Sequence, residues 1–345
     1  MSTETITKVG LVATVTAPGK GFEFKEIEVK KPADHEVLIK IEACGVCHSD
    51  SFAVHGGFPG LQYPIVPGHE IVGIVEATGA QVGRLKVGDR VGVGWHGGHC
   101  STCSSCRAGD FITCAKLETP GITKNGGYAQ YGLFPEHACA AVPAGMDPAI
   151  AAPLLCAGVT TFNALRHSGA VGGDTVAVLG LGGLGHLGVQ FAAKMGFRTV
   201  AIARGDEKAE FAKSLGASVY INSEKEDVPR RLMELGGAKV ALSTVTNSKA
   251  MSVLVDGLCV GGKLLIVGAD IESLDVSPIK LIGGRRSITG WPSGTAKDSE
   301  ECMAFAALTG VKPMIEKFKL EEATAAYERM MSGKARFRVV IETGN

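Results

Sequence analysis

The sequence predicts an α/β protein of two domains, one rich in β-strands and loops and one built on a doubly wound parallel sheet. Three observations lead to this prediction: the length of the chain, a change of pattern near residue 150, and a glycine-rich turn between a strand and a helix. A chain of 345 residues, 45% of them apolar, is long enough to bury two cores. Basic and acidic residues number 35 each. This balance argues against a nucleic-acid or anionic-membrane partner, so we expect a small-molecule partner.

The first part of the chain is dense in glycine and β-branched residues. Its short apolar runs at 37–41, 71–75 and 90–93 are separated by turn signals, which is typical of a β-rich domain with many loops. The amino-terminal residues lack a basic start followed by an apolar core, so we expect a cytoplasmic protein. The uncharged stretch 175–193 contains five glycines, which argues against a membrane span.

From about Pro148 onward, helical segments alternate with short apolar runs, which is the pattern of a parallel sheet with crossover helices. After Gly294 the sequence has two amphipathic stretches, 298–308 and 320–331, and a last strand-like run at 337–341. Periodicity does not indicate where this tail docks. The predicted strands of the parallel sheet are 176–179, 199–203, 218–221, 240–242 and 264–267.

A glycine-rich turn follows the first strand of that sheet. The strand 174–179 leads directly into a GxGxxG turn, and the turn opens a helix at 186–195. The first glycine permits the tight turn, the second lets a pyrophosphate approach the backbone, and the third brings helix against strand. We therefore predict a dinucleotide site rather than a mere packing turn. Its residues are Gly180, Gly182, Gly183, Leu184 and Gly185.

The end of the next strand indicates which dinucleotide binds. An acidic residue there normally binds the ribose hydroxyls of NAD, but this chain has Ala203 followed by Arg204. An arginine can pair with a 2′-phosphate, which favours NADP over NAD. The alternatives are a solvated arginine, and a nearby Asp206 that still reaches the ribose.

Four cysteines lie close together in a polar, glycine- and serine-rich loop. They are Cys100, Cys103, Cys106 and Cys114, and four thiolates at this spacing suit a closed tetrahedral zinc. A redox disulfide pair or a nucleic-acid-binding ribbon is the alternative, and the neutral charge balance argues against the ribbon.

Three further segments carry a second set of candidate metal ligands. They are GVCHSD at 45–50, PGHE at 67–70 and LLCAGVT at 154–160. Each is ambiguous alone, since a cysteine among apolar residues is often only a small hydrophobe. Together with the four-cysteine loop and GLGGLG, in this order and spacing, they make the whole chain resemble the zinc-containing medium-chain alcohol dehydrogenases.

The resemblance implies a GroES-like catalytic domain at 1–155 and 297–345 and a Rossmann cofactor domain at 156–296. It implies two zinc ions per chain, a structural one in the four-cysteine loop and a catalytic one on Cys47, His69 and Cys156. Asp50 and Glu70 would be carboxylates next to those ligands, with Asp50 orienting the His69 imidazole. Three protein ligands leave one position for water or substrate oxygen.

The resemblance also implies a proton route. Ser49 matches the hydroxyl that bonds the substrate oxygen, and a histidine normally continues the relay where this chain has Phe52. The proton therefore leaves through water or through His55, one turn further on. His48 matches a basic contact to the pyrophosphate, with a solvent-facing histidine as the alternative.

The remaining implied contacts are to the cofactor and the substrate. Thr160 matches a contact to the nicotinamide, Arg338 a contact to the pyrophosphate, and Phe58 and Trp95 line the substrate pocket. Large aromatic residues there favour a primary alcohol or its aldehyde, although any apolar core accommodates them too.

The expected function is reversible hydride transfer between such an alcohol and NAD(P), in a homodimer or homotetramer. The alternatives are a polyol or amino-acid dehydrogenase of the same superfamily, or a non-catalytic zinc- or redox-sensing protein with this fold.

Overall fold

The computed structural model describes residues 5–269 and 271–344, and contacts divide the chain into two compact units. The first unit contains the residues up to Val159, Ser293–Leu308, and those from Lys312 onward. The second contains Thr160–Pro292 and Thr309–Val311. The unit boundaries lie a few residues from the domain boundaries predicted at 155 and 297.

The first unit is built on a mixed sheet and a separate antiparallel pair. The strands of the pair are β1 (Thr5–Thr14) and β2 (Glu23–Lys30). The larger sheet has the order β14-β15-β3-β4-β5-β7, and β6 pairs with β3 outside this path. Its strands are β3 (Glu36–Val46), β4 (Ile71–Thr78), β5 (Arg90–Val93), β6 (Tyr131–Pro135), β7 (Cys139–Ala141), β14 (Ile315–Lys319) and β15 (Arg338–Glu342).

The central strand of this sheet, β3, positions the candidate site. Its consecutive residues Val37, Leu38 and Ile39 are all buried, and successive side chains of a strand point to opposite faces, so both faces of β3 are covered. The last strand of the chain, β15, pairs antiparallel with the end of β3, Val339 opposite Val46. The tail, whose docking the sequence left open, is therefore part of the first unit.

The second unit is a six-stranded parallel sheet with the order β10-β9-β8-β11-β12-β13. This is the doubly wound order of dinucleotide-binding folds, so the predicted fold class is confirmed. The sixth strand, β13, was not among the predicted ones. The strands are β8 (Thr175–Leu179), β9 (Arg198–Ala203), β10 (Val219–Asn222), β11 (Ala238–Ser243), β12 (Leu258–Ile266) and β13 (Ser287–Gly290).

The described helices are short, and five of them connect consecutive strands of the second unit. Among the described residues, no single helix is long and apolar enough to cross a bilayer, and only a pair bent by 53°, 148–155 with 157–166, reaches that length and hydropathy together. The helices are α1 (Ser51–His55), α2 (Ser104–Arg107), α3 (Pro148–Ala151), α4 (Ala157–Arg166), α5 (Gly185–Lys194), α6 (Ala209–Ser214), α7 (Val228–Glu234), α8 (Ser248–Ser252), α9 (Pro278–Gly284), α10 (Ala296–Thr309) and α11 (Ala323–Met331).

Candidate active site

The first element of the site is the turn that follows β3. Cys47 leaves the strand and is followed by a 3-10 turn over His48–Asp50. The Cys47 backbone N–H donates to Asp50 Oδ2 at 2.8 Å, and this bond closes the turn. Within it, Asp50 is fully buried, Ser49 is half-buried and His48 is exposed. The turn thus fixes a thiol and a buried carboxylate beside each other.

The second element is His69, on the loop that enters β4. Its ring is fully buried, and its Nδ1 lies 3.2 Å from Asp50 Oδ1. Among the described residues, neither ring nitrogen makes a hydrogen bond, and Nε2 also lacks the carboxylate contact that Nδ1 has. A buried polar atom without a partner is costly, so this nitrogen is suited to a ligand that the chain itself does not supply.

The third element is Cys156, which follows a 3-10 turn at Ala152–Leu155. Its Sγ lies 3.8 Å from Cys47 Sγ. Two sulfurs bound to one tetrahedral zinc at 2.3 Å each would stand about 3.8 Å apart. One ligand atom from each of Cys47, His69, Glu70 and Cys156 lies within 4.8 Å of the others. The predicted ligand set is therefore brought together, and its donors fit zinc.

The electrostatics of this cluster favour a thiolate. The hydrogen bond with Cys156 holds the pKa of Cys47 well below its usual range, aided by His69 and against the effect of burial. Burial lowers the pKa of His69, but Asp50 and Cys47 outweigh this and hold it well above its usual range. The hydrogen bond with Cys47, together with burial, holds the pKa of Cys156 well above its usual range, so a metal, which binds thiolate and neutral imidazole, would displace protons from Cys156 and His69 on binding.

A buried ion pair borders the cluster. Arg338, at the start of β15, donates from Nη2 to Glu70 Oε1, and the side chains are 5% and 0% exposed. Burial raises the pKa of Glu70 to about 7, although Arg338 counteracts it. Arg338 Nη2 is bonded to Glu70, and the predicted pyrophosphate contact of Arg338 stays a prediction.

A chain of aromatic rings extends from the metal ligands. Trp95 packs edge-on against His69 with ring centres 5.0 Å apart, and Phe58 packs edge-on against Trp95 at 6.2 Å. Phe52 continues the row at 5.4 Å from Phe58. All three aromatic residues are half-buried, so they form an apolar wall beside His69. His55 is exposed, and its Nε2 lies 3.2 Å from the Tyr327 hydroxyl.

The four-cysteine loop forms a second compact cluster. One sulfur from each of Cys100, Cys103, Cys106 and Cys114 lies within 4.8 Å of the others. Backbone N–H groups point at the sulfurs, at 3.3 Å from Lys116 to Cys114 and 3.4 Å from Cys103 to Cys100. The Thr102 hydroxyl and backbone donors lower the pKa of Cys100 to about 5. Four convergent sulfurs suit a closed metal site.

The loop is anchored on a histidine cluster. His99 stacks on Phe111 with ring centres 4.2 Å apart, and His137 lies 4.3 Å from His99. His96 Nε2 lies 2.9 Å from His99 Nδ1. His96 is almost fully buried, and burial lowers its pKa to about 4, so it is neutral at physiological pH. The cluster was not predicted from the sequence, because separate histidines carry no spacing signal.

In the second unit, the glycine-rich turn has the shape that a pyrophosphate needs. Gly180 has φ +100°, and a Cβ at Gly185 would lie 2.0 Å from Gly180 O, so both positions require glycine. A Cβ at Gly182 would meet nothing within 4 Å. This position is open for close approach of a ligand to the backbone at the start of α5, and the turn fits a dinucleotide.

The residues expected to select the dinucleotide lie at the carboxyl end of β9. Ala203 is buried as the last residue of the strand, and Arg204 is exposed. The Asp206 carboxylate accepts from Asn222 Nδ2 at 2.6 Å and also pairs with Lys225. Asp206 is thus held by neighbouring side chains. Thr160 lies in α4 and is 8% exposed, and its nicotinamide contact stays a prediction.

Comparisons with known proteins agree with this geometry. The alcohol dehydrogenase GroES-like domain matches residues 33–144, and the zinc-binding dehydrogenase domain matches residues 183–308. Alcohol dehydrogenase notN of Aspergillus sp. (strain MF297-2) is 45% identical over 323 residues, covering 94% of this chain and 95% of the relative. An alcohol dehydrogenase of Geobacillus stearothermophilus is 41% identical over 332 residues, covering 96% and 98%.

The chain belongs to the zinc-containing medium-chain alcohol dehydrogenase family.

Solved structures of this family have the same fold. A cinnamyl alcohol dehydrogenase (SbCAD4) from Sorghum bicolor matches with a TM-score of 0.87 and 29% identity, covering 97% of this chain and 98% of that one. CAD from Helicobacter pylori, solved with NADP(H), matches with a TM-score of 0.86 and 27% identity, covering 98% and 99%. The match extends over both units of this family member.

One residue beside the predicted ligands carries no motif signal. Tyr128 is fully buried, and its hydroxyl donates to Asp50 Oδ2 at 2.9 Å. It lies in the segment GGYAQY, where a tyrosine among small and apolar residues looks like ordinary core. Only the tertiary structure brings it to a residue of the candidate active site.

Proposed function

We propose that this chain is a zinc-dependent alcohol dehydrogenase and aldehyde reductase that exchanges a hydride between a primary alcohol and a nicotinamide dinucleotide. The observation that carries the proposal is the buried cluster of Cys47, His69 and Cys156. It combines a sulfur pair at 3.8 Å with an imidazole nitrogen that has no partner among the described residues. Two cysteines and one histidine are the known ligand set of the catalytic zinc in alcohol dehydrogenases, and they leave one position open.

The chain's own residues would hold, orient and move groups around the reacting oxygen. When bound, zinc supplies a Lewis acid that lowers the pKa of an alcohol, and the nicotinamide supplies the hydride acceptor. Asp50 keeps the imidazole of His69 turned toward the metal position. Ser49, half-buried in the same turn as Asp50, would take the hydroxyl proton of the substrate. Phe52 has no group that can carry that proton further, so the proton would leave through water or through His55.

The aromatic wall determines the substrate class in this proposal. Trp95 and Phe58 continue outward from His69 and present apolar faces. A narrow apolar wall favours a primary alcohol with an aromatic or unbranched apolar group over a polyol, whose hydroxyls would lose hydrogen bonds to water. The structural match to a cinnamyl alcohol dehydrogenase supports this class. Cysteine at position 156, where polyol dehydrogenases often have glutamate, supports it too.

The cofactor in this proposal is NADP. The exposed Arg204 follows β9, and the nearby carboxylate, Asp206, is bonded to Asn222 and Lys225. An arginine without a competing acidic residue favours a 2′-phosphate. The Helicobacter pylori structure solved with NADP(H) supports this choice.

The function is tested by steady-state kinetics of the purified chain with both cofactors over primary, secondary and aromatic alcohols and aldehydes. We expect two zinc ions per chain and the highest kcat/KM for aromatic primary substrates with NADPH or NADP. Two zinc ions without nicotinamide-linked turnover of any substrate would contradict the proposal and favour a sensing protein.

The cofactor choice has its own test, Arg204→Ala. We expect the ratio of kcat/KM for NADPH over NADH to fall at least about tenfold, since a hydrogen bond to a charged group contributes roughly 1.5–3 kcal/mol. Arg230→Ala, which removes an exposed arginine of α7 paired with Glu234, is the matched control and should leave the ratio unchanged. An unchanged ratio in Arg204→Ala would show that this arginine does not select the cofactor.

We also propose a cytoplasmic location and a homodimeric or homotetrameric state. None of the ten cysteines, all within the described residues, is in a disulfide, and thiolate ligands persist where the environment is reducing. Relatives of this family support the oligomeric state by resemblance, and the mass of the purified chain in solution is the test.

A further inference from the structure

Tyr128 lies in the core of the first unit and contacts two of the three segments that carry the candidate metal ligands, the Asp50 turn and the His69 loop. Its side chain is fully buried, in the stretch that precedes β6. The phenol oxygen donates to Asp50 Oδ2 at 2.9 Å. A buried hydroxyl without a partner is costly, and Asp50 supplies the acceptor that this hydroxyl needs.

The two oxygens of Asp50 have different partners. Oδ2 accepts the Tyr128 hydroxyl at 2.9 Å and the Cys47 backbone N–H at 2.8 Å. Oδ1 faces His69 Nδ1 at 3.2 Å. Two donors on one oxygen fix the rotation of the carboxylate, and this rotation decides where the other oxygen lies relative to the imidazole.

Tyr128 also fixes the backbone of the His69 loop. Its N–H donates to Pro67 O at 2.9 Å, and Gly127 N–H donates to Gly68 O at 2.9 Å. The ring packs directly on Gly68, which has φ +100° and where a Cβ would lie 2.6 Å from the Tyr128 ring. The residue immediately before His69 must therefore be glycine to admit this ring. Tyr128 holds the loop with its backbone and the Asp50 turn with its hydroxyl.

We propose that Tyr128 is a positioning residue for the metal site, which holds the His69 imidazole in its ligating orientation through Asp50. This inference rests on the proposed function, because it needs a metal on Cys47, His69 and Cys156. The hydroxyl of Tyr128, rather than the bulk of its ring, positions the metal ligand His69. The ring alone would account for packing, and phenylalanine would supply that equally well.

The test is Tyr128→Phe, which keeps the ring and removes the hydroxyl. Zinc per chain is followed during titration with a chelator, for the wild type, Tyr128→Phe and Cys156→Ala. The zinc that Cys156→Ala lacks identifies the site on Cys47 and His69. We expect Tyr128→Phe to release that zinc at roughly threefold to tenfold lower chelator concentration, below the 10–100-fold that loss of a direct partner of a ligand costs.

A second readout separates positioning from general destabilisation. The visible d–d bands of the cobalt-substituted protein report the ligand geometry, and we expect Tyr128→Phe to shift them. Tyr63→Phe removes the hydroxyl of another tyrosine of the first unit, bonded to Ala53 O at 2.8 Å, and should change neither the chelator midpoint nor the bands.

A double-mutant comparison tests the route through Asp50. In an Asp50→Asn background, the further change Tyr128→Phe should shift the chelator midpoint by less than it does in the wild type. Unchanged zinc release and unchanged cobalt bands in Tyr128→Phe would overturn the inference while leaving the proposed function intact. Equal zinc content in the wild type and Cys156→Ala would instead overturn the proposed metal site, and the inference with it.

Discussion

The two metal-type clusters of the first unit differ in how their members are distributed along the sequence. The four-cysteine cluster lies between Cys100 and Cys114 and is shaped by a short helix and a few turns. The other cluster draws Cys47, His69 and Cys156 from three distant segments. The first can form wherever its loop folds, whereas the second exists only once the whole unit has folded.

The two clusters also differ in the groups that surround them. Backbone N–H groups point at the sulfurs of the four-cysteine loop, and all four ligand positions are filled by the chain. Around His69, by contrast, the neighbours are the buried charges Asp50, Glu70 and Arg338. Fixed charges in a low-dielectric interior can act on a bound substrate, while four sulfurs leave it no room. A closed cluster therefore suits stability and an open one suits chemistry.

The largest expected effect follows from removing one candidate metal ligand of the buried cluster. Cys156→Ala should lose one zinc per chain and at least about a thousandfold in kcat/KM, because a catalytic metal contributes several kcal/mol to the transition state. Its melting temperature should stay close to the wild-type value. Metal analysis, kinetics and thermal melting measure the three quantities, and Cys139→Ala, a buried cysteine outside both clusters, is the control.

Breaking the four-cysteine cluster should have the opposite profile. Cys106→Ala should lower the Tm by roughly 5–10 °C, because structural metal binding contributes folding free energy, and it should keep most of the activity at low temperature. Thermal melting and limited proteolysis of the loop at 100–114 are the measurements. Comparable loss of activity and equal destabilisation in Cys106→Ala and Cys156→Ala would eliminate the division of labour between the clusters.

A smaller effect concerns the free energy of unfolding at acidic pH, which depends on the buried His96 in the histidine cluster beside the four-cysteine loop. Burial lowers the pKa of His96 to about 4 in the folded chain, whereas an unfolded histidine titrates near 6.5. Between these values the unfolded state binds more protons, so His96 reduces stability as the pH falls from about 6.5 toward about 4. From pH 7 to pH 5 this loss amounts to about 2 kcal/mol.

His96→Phe should remove that pH dependence. We expect the fall in free energy of unfolding between pH 7 and pH 5 to be smaller than in the wild type, as measured by denaturant titration at each pH. His35→Phe, at an exposed position, is the control. A pH profile in His96→Phe identical to that of the wild type would show that the buried imidazole does not titrate with folding.

Much of the fold could be predicted because its strands bury continuous apolar runs. The strands at 176–179 and 199–203 match β8 and β9 within a residue. Six strands were not predicted from the sequence, namely β1, β2, β6, β7, β13 and β14. β13 is a four-residue edge strand, and β14 has the sequence IEKFK, in which three of the five residues are charged and none is fully buried.

The candidate site could be predicted only where a residue type and its spacing carry chemistry. Cys47, His69 and Cys156 belong to recognisable motifs, and the structure brings them together. Arg338 was expected at a pyrophosphate, and the structure adds its bond to Glu70, which no spacing reveals. Tyr128 and the cluster of His96, His99 and His137 depend on contacts between segments far apart in sequence.

Local sequence patterns specify the periodicity of the strands, the glycine turn and the four-cysteine spacing, because each of these depends on neighbouring residues. Folding of the whole first unit is what returns β15 to β3, brings Arg338 to Glu70, and lets Tyr128 join the Asp50 turn to the His69 loop. The physical reason is that pairing of distant strands and burial of distant charges are set by the packing of the whole unit, which no local window of sequence contains.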